Sequence, residues 1–122
     1  NPHCHVILRG GEHGPNYEKN HVIEAVAKLG DNGLHPAIMI DASHDNSQKD
    51  HNNQPAVFKN IVDQRLDSDS TIIGAMIESN LVAGNQKFPQ ELDSLIYGQS
   101  ITDKCIDWET TEKLILEAAE KL

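Results

Sequence analysis

Three apolar runs, each reaching one charged or metal-capable side chain, set the rhythm of the chain. Residues 5–11 read His-Val-Ile-Leu-Arg-Gly-Gly and end in Arg9. Residues 38–47 read Ile-Met-Ile-Asp-Ala-Ser-His-Asp-Asn-Ser and reach His44. Residues 72–80 read Ile-Ile-Gly-Ala-Met-Ile-Glu-Ser-Asn and reach Glu78. Runs apolar at nearly every position predict strands buried on both faces, as in a parallel sheet. Between them the period changes to that of a helix. Val22, Ile23, Val26 and Leu29 predict a helix over 17–29, stopped by Gly30 or Gly33. Val57, Phe58, Ile61 and Val62 predict a second over 55–66, opened by Pro55. Leu114, Ile115, Ala118 and Leu122 predict a third over 108–122, capped by Asp107. Residues 45–53 form a polar loop and residues 67–70 a polar turn. Residues 80–107 form a connection too long for an ordinary loop, which marks it as functional.

The order strand-helix, taken three times, implies an α/β fold with parallel strands and right-handed crossovers. In such folds active sites gather at the C-terminal ends of the strands. Three strands cannot close a barrel, which takes eight and about 250 residues. Side chains alternate across a strand. Counting back from Arg9, His44 and Glu78 places Ile7, Ile40 and Met76 on the same inward face and turns the three functional groups toward one mouth. The same count puts Asp41 on the opposite face, as a structural carboxylate paired with a helix.

The chain has 122 residues, enough for one modest domain. Its 10 Lys and Arg against 19 Asp and Glu give a formal charge of −9. That surface argues against nucleic acid, which needs clustered cations, but leaves room for small phosphorylated ligands in a local positive pocket. No run approaches the ~20 apolar residues of a membrane span, and no signal peptide is visible. The first residue is Asn1 rather than Met, so a piece of a longer chain is expected. Two cysteines make no disulfide framework and point to a reduced, cytoplasmic setting.

Imidazole and carboxylate suit Zn, Fe, Mn or Co, so His44 and Glu78 form a candidate metal pair, with Asp103 of the long connection as a further oxygen donor. Spacing alone leaves open the alternative that these groups simply solvate the strand mouths. Arg9 followed by Gly10 and Gly11 suits a phosphate, the arginine as a forked donor and the glycines as a backbone cradle; an ordinary turn explains it as well. His3-Cys4-His5 with His13 is a rival zinc grouping without a clear second half. Cys105 reads as a small buried apolar residue, and His21, His35 and His51 as surface residues. Gly-x-Ser-x-Gly, P-loop and Rossmann fingerprints are absent from the sequence.

Taken together, five stretches resemble one family. They are Asn-Pro-His-Cys-His-Val-Ile-Leu-Arg-Gly-Gly at 1–11, Met-Ile-Asp-Ala-Ser-His-Asp-Asn-Ser at 39–47 and Gly-Ala-Met-Ile-Glu-Ser-Asn-Leu at 74–81. Gly-Asn-Gln at 84–86 and Tyr-Gly-Gln-Ser-Ile-Thr-Asp-Lys-Cys-Ile-Asp-Trp-Glu-Thr-Thr at 97–111 complete the set. The family is the type I 3-deoxy-D-arabino-heptulosonate 7-phosphate (DAHP) synthases. The resemblance covers the whole chain, in order. It implies that residues 1–122 are the last three β/α units of a TIM (β/α)8 barrel. It implies that the parent enzyme condenses phosphoenolpyruvate with erythrose 4-phosphate to DAHP and phosphate, the first step of the shikimate pathway to aromatic amino acids. It implies a divalent metal (Mn, Fe, Co or Zn) held by His44, Glu78 and Asp103, with a fourth ligand, a cysteine, contributed upstream. It implies that Arg9 holds the phosphate of phosphoenolpyruvate, that His44 also serves catalysis, and that His44 and Asp103 border substrate. The parent is expected to be a cytoplasmic homo-oligomer, and the 122-residue piece to be inactive alone. The chain departs from the family at Glu12, Asp45 and Asp107, where Lys, a small residue and Gly are usual. Two other readings stand beside this one: a catalytically silent α/β interaction module, and a sister synthase joining phosphoenolpyruvate to another sugar phosphate.

Overall fold

The structure is a computed structural model and describes residue 1, residues 3–67 and residues 70–122. Of the predicted turn at 67–70, Ser68 and Asp69 lie outside the described residues, as does Pro2 of the first motif. Strands β1 (Val6–Leu8), β2 (Ile38–Asp41) and β3 (Ile72–Met76) form a parallel sheet in the order β1-β2-β3. Helix α1 (Lys19–Asp31) links β1 to β2, and helix α2 (Gln54–Arg65) links β2 to β3. Val6 pairs with Ile38 and Leu8 with Ile40; the β2–β3 register then shifts, bringing Asp41 beside Met76.

One layer of apolar side chains joins sheet to helices. Leu8, Ile38, Ile40 and Ile72 pack with Val22 of α1 and Val57 and Ile61 of α2. Each large aliphatic residue buried there contributes about 1.5–3 kcal/mol. Here the parity predicted from sequence needs correction. Ile7 and Met76 do lie on the open face, 43% and 38% exposed, but Ile40 is wholly buried among the helices. Alternation then puts Asp41 on the open face, not against a helix. The count failed because β2 stops at Asp41, and the chain turns before it reaches His44.

Pro55 sits in the first turn of α2, where its missing N–H costs nothing. Helix α3 (Trp108–Lys121) begins at Asp107, whose carboxylate accepts the Thr110 N–H at 2.8 Å. Its inner face is narrower than the periodicity implies. Leu114 and Ala118 are buried, while Ile115 and Leu122 are exposed. Exposed ion pairs Lys59–Glu117 (2.8 Å) and Lys121–Asp63 (2.6 Å) span α2 and α3, each worth at most about 1 kcal/mol.

The long connection is structured. Strands β4 (Val82–Asn85) and β5 (Gln99–Ser100) pair in parallel within it. Gly98, at φ +78°, lets that unit close: a β-carbon there would sit 2.6 Å from the Leu81 side chain. The segment then returns to the main sheet. Ser79 and Ile106 form a parallel bridge, with Ile106 N–H donating to the Glu78 carbonyl at 3.0 Å and Asn80 N–H to the Ile106 carbonyl at 3.0 Å. A single parallel rung thus forms just past the end of β3, and the chain passes from it directly into α3. No helix of the described residues is long and apolar enough to cross a membrane.

Candidate metal centre at the strand ends

Where β2 ends, the chain folds back tightly. Ala42 N–H donates to the Met76 carbonyl at 2.8 Å. His44 then opens a short 3-10 turn (His44–Ser47) with φ +50°, and Gln48 and Lys49 follow at +56° and +59°. A left-handed non-glycine residue costs roughly 1–2 kcal/mol, so surrounding contacts must hold this loop. Buried Asn46 supplies several. It donates to the carbonyls of Leu8 (3.1 Å) and Asp41 (2.8 Å) and accepts the Asn16 N–H at 2.7 Å. It therefore ties the exit of β1 to the exit of β2.

Gly10 belongs to the same knot. At φ +75° a β-carbon there would lie 2.7 Å from the Asn46 nitrogen and from Asp45. Its N–H goes to Asn16 Oδ1 at 2.7 Å, and the Gly11 N–H to the Gly14 carbonyl at 3.1 Å. These donors are spent inside the protein. The glycines after Arg9 serve close packing, and the expected backbone cradle for an anion is not formed. Arg9 itself is exposed, and its charge reaches Glu78.

Glu78 lies two residues past β3, with its peptide group gripped by Gln54, which is 1% exposed. Gln54 Oε1 accepts the Glu78 N–H at 2.9 Å, and Gln54 Nε2 donates to the Glu78 carbonyl at 3.3 Å. Asp103 follows the end of β5 and precedes the rung at Ile106. The structure brings His44, Glu78 and Asp103 together, with one donor atom of each inside a 4.8 Å span. His44 Nε2 lies 3.6 Å from Glu78 Oε1 and 3.8 Å from Asp103 Oδ2. Those gaps are too long for hydrogen bonds. They are close to the ~3.4 Å between two ligands placed tetrahedrally at ~2.1 Å from one ion.

Charge favours a cation at the same place. Burial is the main influence raising the Glu78 pKa above its ordinary value; Asp103 and Asp41 push the same way, while His44 and Arg9 oppose them. Three carboxylates surround one imidazole, and a divalent ion would balance them. The trio lines a cleft of 340 Å³ shared with Lys49, His51 and Lys104. A larger cleft of 560 Å³ lies beside α1 and the start of β3, where its charged residues are the paired Lys19 and Asp67.

Several residues differ from expectation. Asp41 is buried and faces His44: it lies 2.7 Å from His44 Nδ1 and accepts from Ser43 N–H (2.8 Å) and Ser43 Oγ (2.5 Å). His51 is half-buried and lines the cleft, and His21 is half-buried too, whereas His35 is exposed. Cys105 is partly exposed; its thiol donates to the Asp103 carbonyl at 3.6 Å, and burial pushes its pKa up. His3, Cys4, His5 and His13 are exposed, and the one metal-type grouping among the described residues is that of His44. The three departures also find places. Lys49 Nζ approaches Asp45 at 3.5 Å and offsets its charge, Asp107 caps α3, and Glu12 is exposed. Sequence reasoning missed Asn46 and Gln54. The one signal available was an uncharged amide in the polar loop after β2 and another at the start of α2.

The fold and the cluster define a parallel α/β protein with a candidate metal centre at its strand ends. The chain matches the DAHP synthetase I family over residues 1–116 and belongs to that family. It is 50% identical over 120 residues to a phospho-2-dehydro-3-deoxyheptonate aldolase of Alternaria alternata, covering 98% of this chain and 32% of that protein. It is 46% identical over 122 residues to the Tyr-sensitive phospho-2-dehydro-3-deoxyheptonate aldolase of Escherichia coli K12, covering 100% of this chain and 34% of the relative. A solved phospho-2-dehydro-3-deoxyheptonate aldolase from Francisella tularensis superposes with a TM-score of 0.92 at 50% identity, over 99% of this chain and 35% of that one. The chain thus spans about a third of the length of the relatives it matches.

Proposed function

We propose that the chain is the C-terminal part of a DAHP synthase barrel. In this reading residues 1–122 form one incomplete unit of a (β/α)8 domain: the last three β/α units expected from the sequence, with the rung at Ile106 as a further strand position inserted between β3 and α3. The full-length protein condenses phosphoenolpyruvate with erythrose 4-phosphate in the cytoplasm and assembles as a homo-oligomer. The observation that carries the reading is the convergence of His44, Glu78 and Asp103 from three separate strand ends within the reach of one ion.

The donor set fits a divalent metal, since one imidazole nitrogen and two carboxylates match Mn, Fe, Co or Zn. Such an ion, when bound, supplies Lewis acidity toward the sugar aldehyde and acidifies water. His44 would hold it through Nε2, with Glu78 and Asp103 as oxygen ligands. Arg9 would neutralise the phosphate of phosphoenolpyruvate and fix its orientation. His44 and Asp103 would border the reacting carbons. The C3 carbon of phosphoenolpyruvate forms a bond to the aldehyde carbon of erythrose 4-phosphate, whose oxygen becomes a hydroxyl. Water adds at C2, and the C2–O bond to phosphate breaks to leave the ketone of DAHP and inorganic phosphate. The test is phosphate release by the full-length protein with both substrates, before and after chelation. Release that needs both substrates and stops with chelator supports the reading. Release with a different sugar phosphate alone would favour the sister synthase, and no release at any metal would favour a silent module.

A further inference from the structure

We infer that Asp41 is a positioning residue that fixes the tautomer of His44, keeping the proton on Nδ1 and turning the Nε2 lone pair toward Glu78 and Asp103. The inference rests on the proposed reading of His44 as a metal ligand.

Asp41 is 2% exposed. Its Oδ1 receives the Ser43 N–H at 2.8 Å and lies 2.5 Å from Ser43 Oγ; its Oδ2 lies 2.7 Å from His44 Nδ1. Ser43 Oγ is also 2.8 Å from His44 Nδ1. Contacts this short between electronegative atoms need a hydrogen directed between them, and one hydrogen can serve two of them. Ser43 has a single hydroxyl hydrogen, and the Oδ1 contact uses it. Oδ1 already accepts two hydrogens, the pattern of a carboxylate, and a carboxylate only accepts, so the imidazole supplies the hydrogen between Oδ2 and Nδ1. Ser43 Oγ, having given its hydrogen to Asp41, can receive a share of the same N–H. A neutral ring protonated at Nδ1 bears its lone pair at Nε2, the atom that faces Glu78 and Asp103 at 3.6 and 3.8 Å. The opposite tautomer would set the Nδ1 lone pair against Oδ2 and leave Nε2 without a lone pair for an ion.

The backbone supports this role. The left-handed φ of His44 folds the ring back over the end of its own strand, so Asp41 at i−3 can reach it. Asn46 then holds the Asp41 carbonyl at 2.8 Å, which fixes the carboxylate's base. Nothing else in the cleft contacts Nδ1 among the described residues.

The experiment is nitrogen-15 NMR of the full-length protein, labelled at histidine and freed of metal, with His44 assigned by its loss in His44→Gln. The expected result is a protonated, pyrrole-type Nδ1 and a bare, pyridine-type Nε2. In Asp41→Asn the amide can donate to Nδ1, so the ring should shift to the Nε2–H form, and manganese affinity should fall about 10–100-fold. Ser43→Ala should leave the tautomer unchanged. A bare Nδ1 in the unsubstituted protein would overturn the inference, whether or not the variants fold. An unchanged tautomer in a folded Asp41→Asn variant would overturn it as well. Because the tautomer is read without metal or substrate, a protein that shows it yet binds no metal would refute the proposed function while leaving the Asp41-set tautomer established.

Discussion

Gln54 holds Glu78 by both edges of its backbone, accepting the N–H at 2.9 Å and donating to the carbonyl at 3.3 Å. A buried side-chain amide here takes the place of a neighbouring strand. Replacing it with Leu leaves the Glu78 carbonyl only the Ile106 N–H and takes away the acceptor of the part-buried Glu78 N–H. Gln54→Leu should therefore cost about 1–3 kcal/mol of stability and weaken divalent-metal binding in the full-length protein. Urea unfolding and manganese titration measure the two effects. Unchanged values in both would mean that Glu78 is placed by its strand alone.

Glu78 also gives the site a pH signature. Its carboxyl is raised above the ordinary value of 4.5, mainly by burial. A group whose folded pKa is raised contributes stability that is present below the unfolded value and lost as pH rises through the folded one. The metal-free protein should lose that contribution as pH climbs from about 4.5 upward, and Glu78→Gln should abolish this part of the loss. Added manganese should reverse the trend, because the ion favours the ionised form. Melting temperature against pH, with and without manganese, reads all three. Identical profiles for the unsubstituted protein and Glu78→Gln would contradict the shift.

Two backbone positions test the local architecture. Gly10→Ala combines a left-handed φ with a β-carbon 2.7 Å from the Asn46 nitrogen. It should cost more than the roughly 1–2 kcal/mol of φ alone, because the neighbour is backbone and cannot yield cheaply. Asp107→Ala removes the α3 cap and should cost about 1 kcal/mol. Its carboxyl lies below the usual range, chiefly through the Thr110 hydrogen bond, so that contribution should fade as pH falls through the lowered value. Denaturation midpoints at neutral and acid pH check both.

How far the sequence revealed this arrangement follows from where its periodicity was continuous. The main-sheet strands and all three helices were legible because apolar runs and helical stripes persist there, and Pro55 and Asp107 punctuate the helices as their chemistry requires. His44 and Glu78 were legible as candidates because each ends an apolar run; Asp103, in a long connection without such a run, was legible only as a carboxylate donor and through the family resemblance. The orientation of Ile40 and Asp41 was not. Alternation holds only while the strand lasts, and a left-handed residue at His44 breaks the count. The β4–β5 unit was hidden because Val82–Asn85 and Gln99–Ser100 contain no apolar run, most of their positions being Gly, Asn, Gln or Ser. Asn46 and Gln54 were hidden because an amide's value lies in its partners, here the exits of β1, β2 and β3.

The 122-residue segment alone should be inactive and self-associating. Ile7 and Met76 stand exposed on the open face of the sheet, and β1 presents an unpaired edge, a ready template for another chain. Light scattering should report dimers or larger species, and phosphate release should be undetectable with excess metal and both substrates. A stable monomer at high micromolar concentration would contradict the first expectation, and metal-dependent turnover the second.

Whether His44, Glu78 and Asp103 hold one ion decides the proposed site. Crystals of the full-length protein grown with manganese, measured on both sides of the manganese absorption edge, would locate it. The predicted result is a single anomalous peak within about 2.0–2.2 Å of His44 Nε2 and of a carboxylate oxygen from each of Glu78 and Asp103. A peak elsewhere, or full occupancy that persists in His44→Ala, would contradict the assignment.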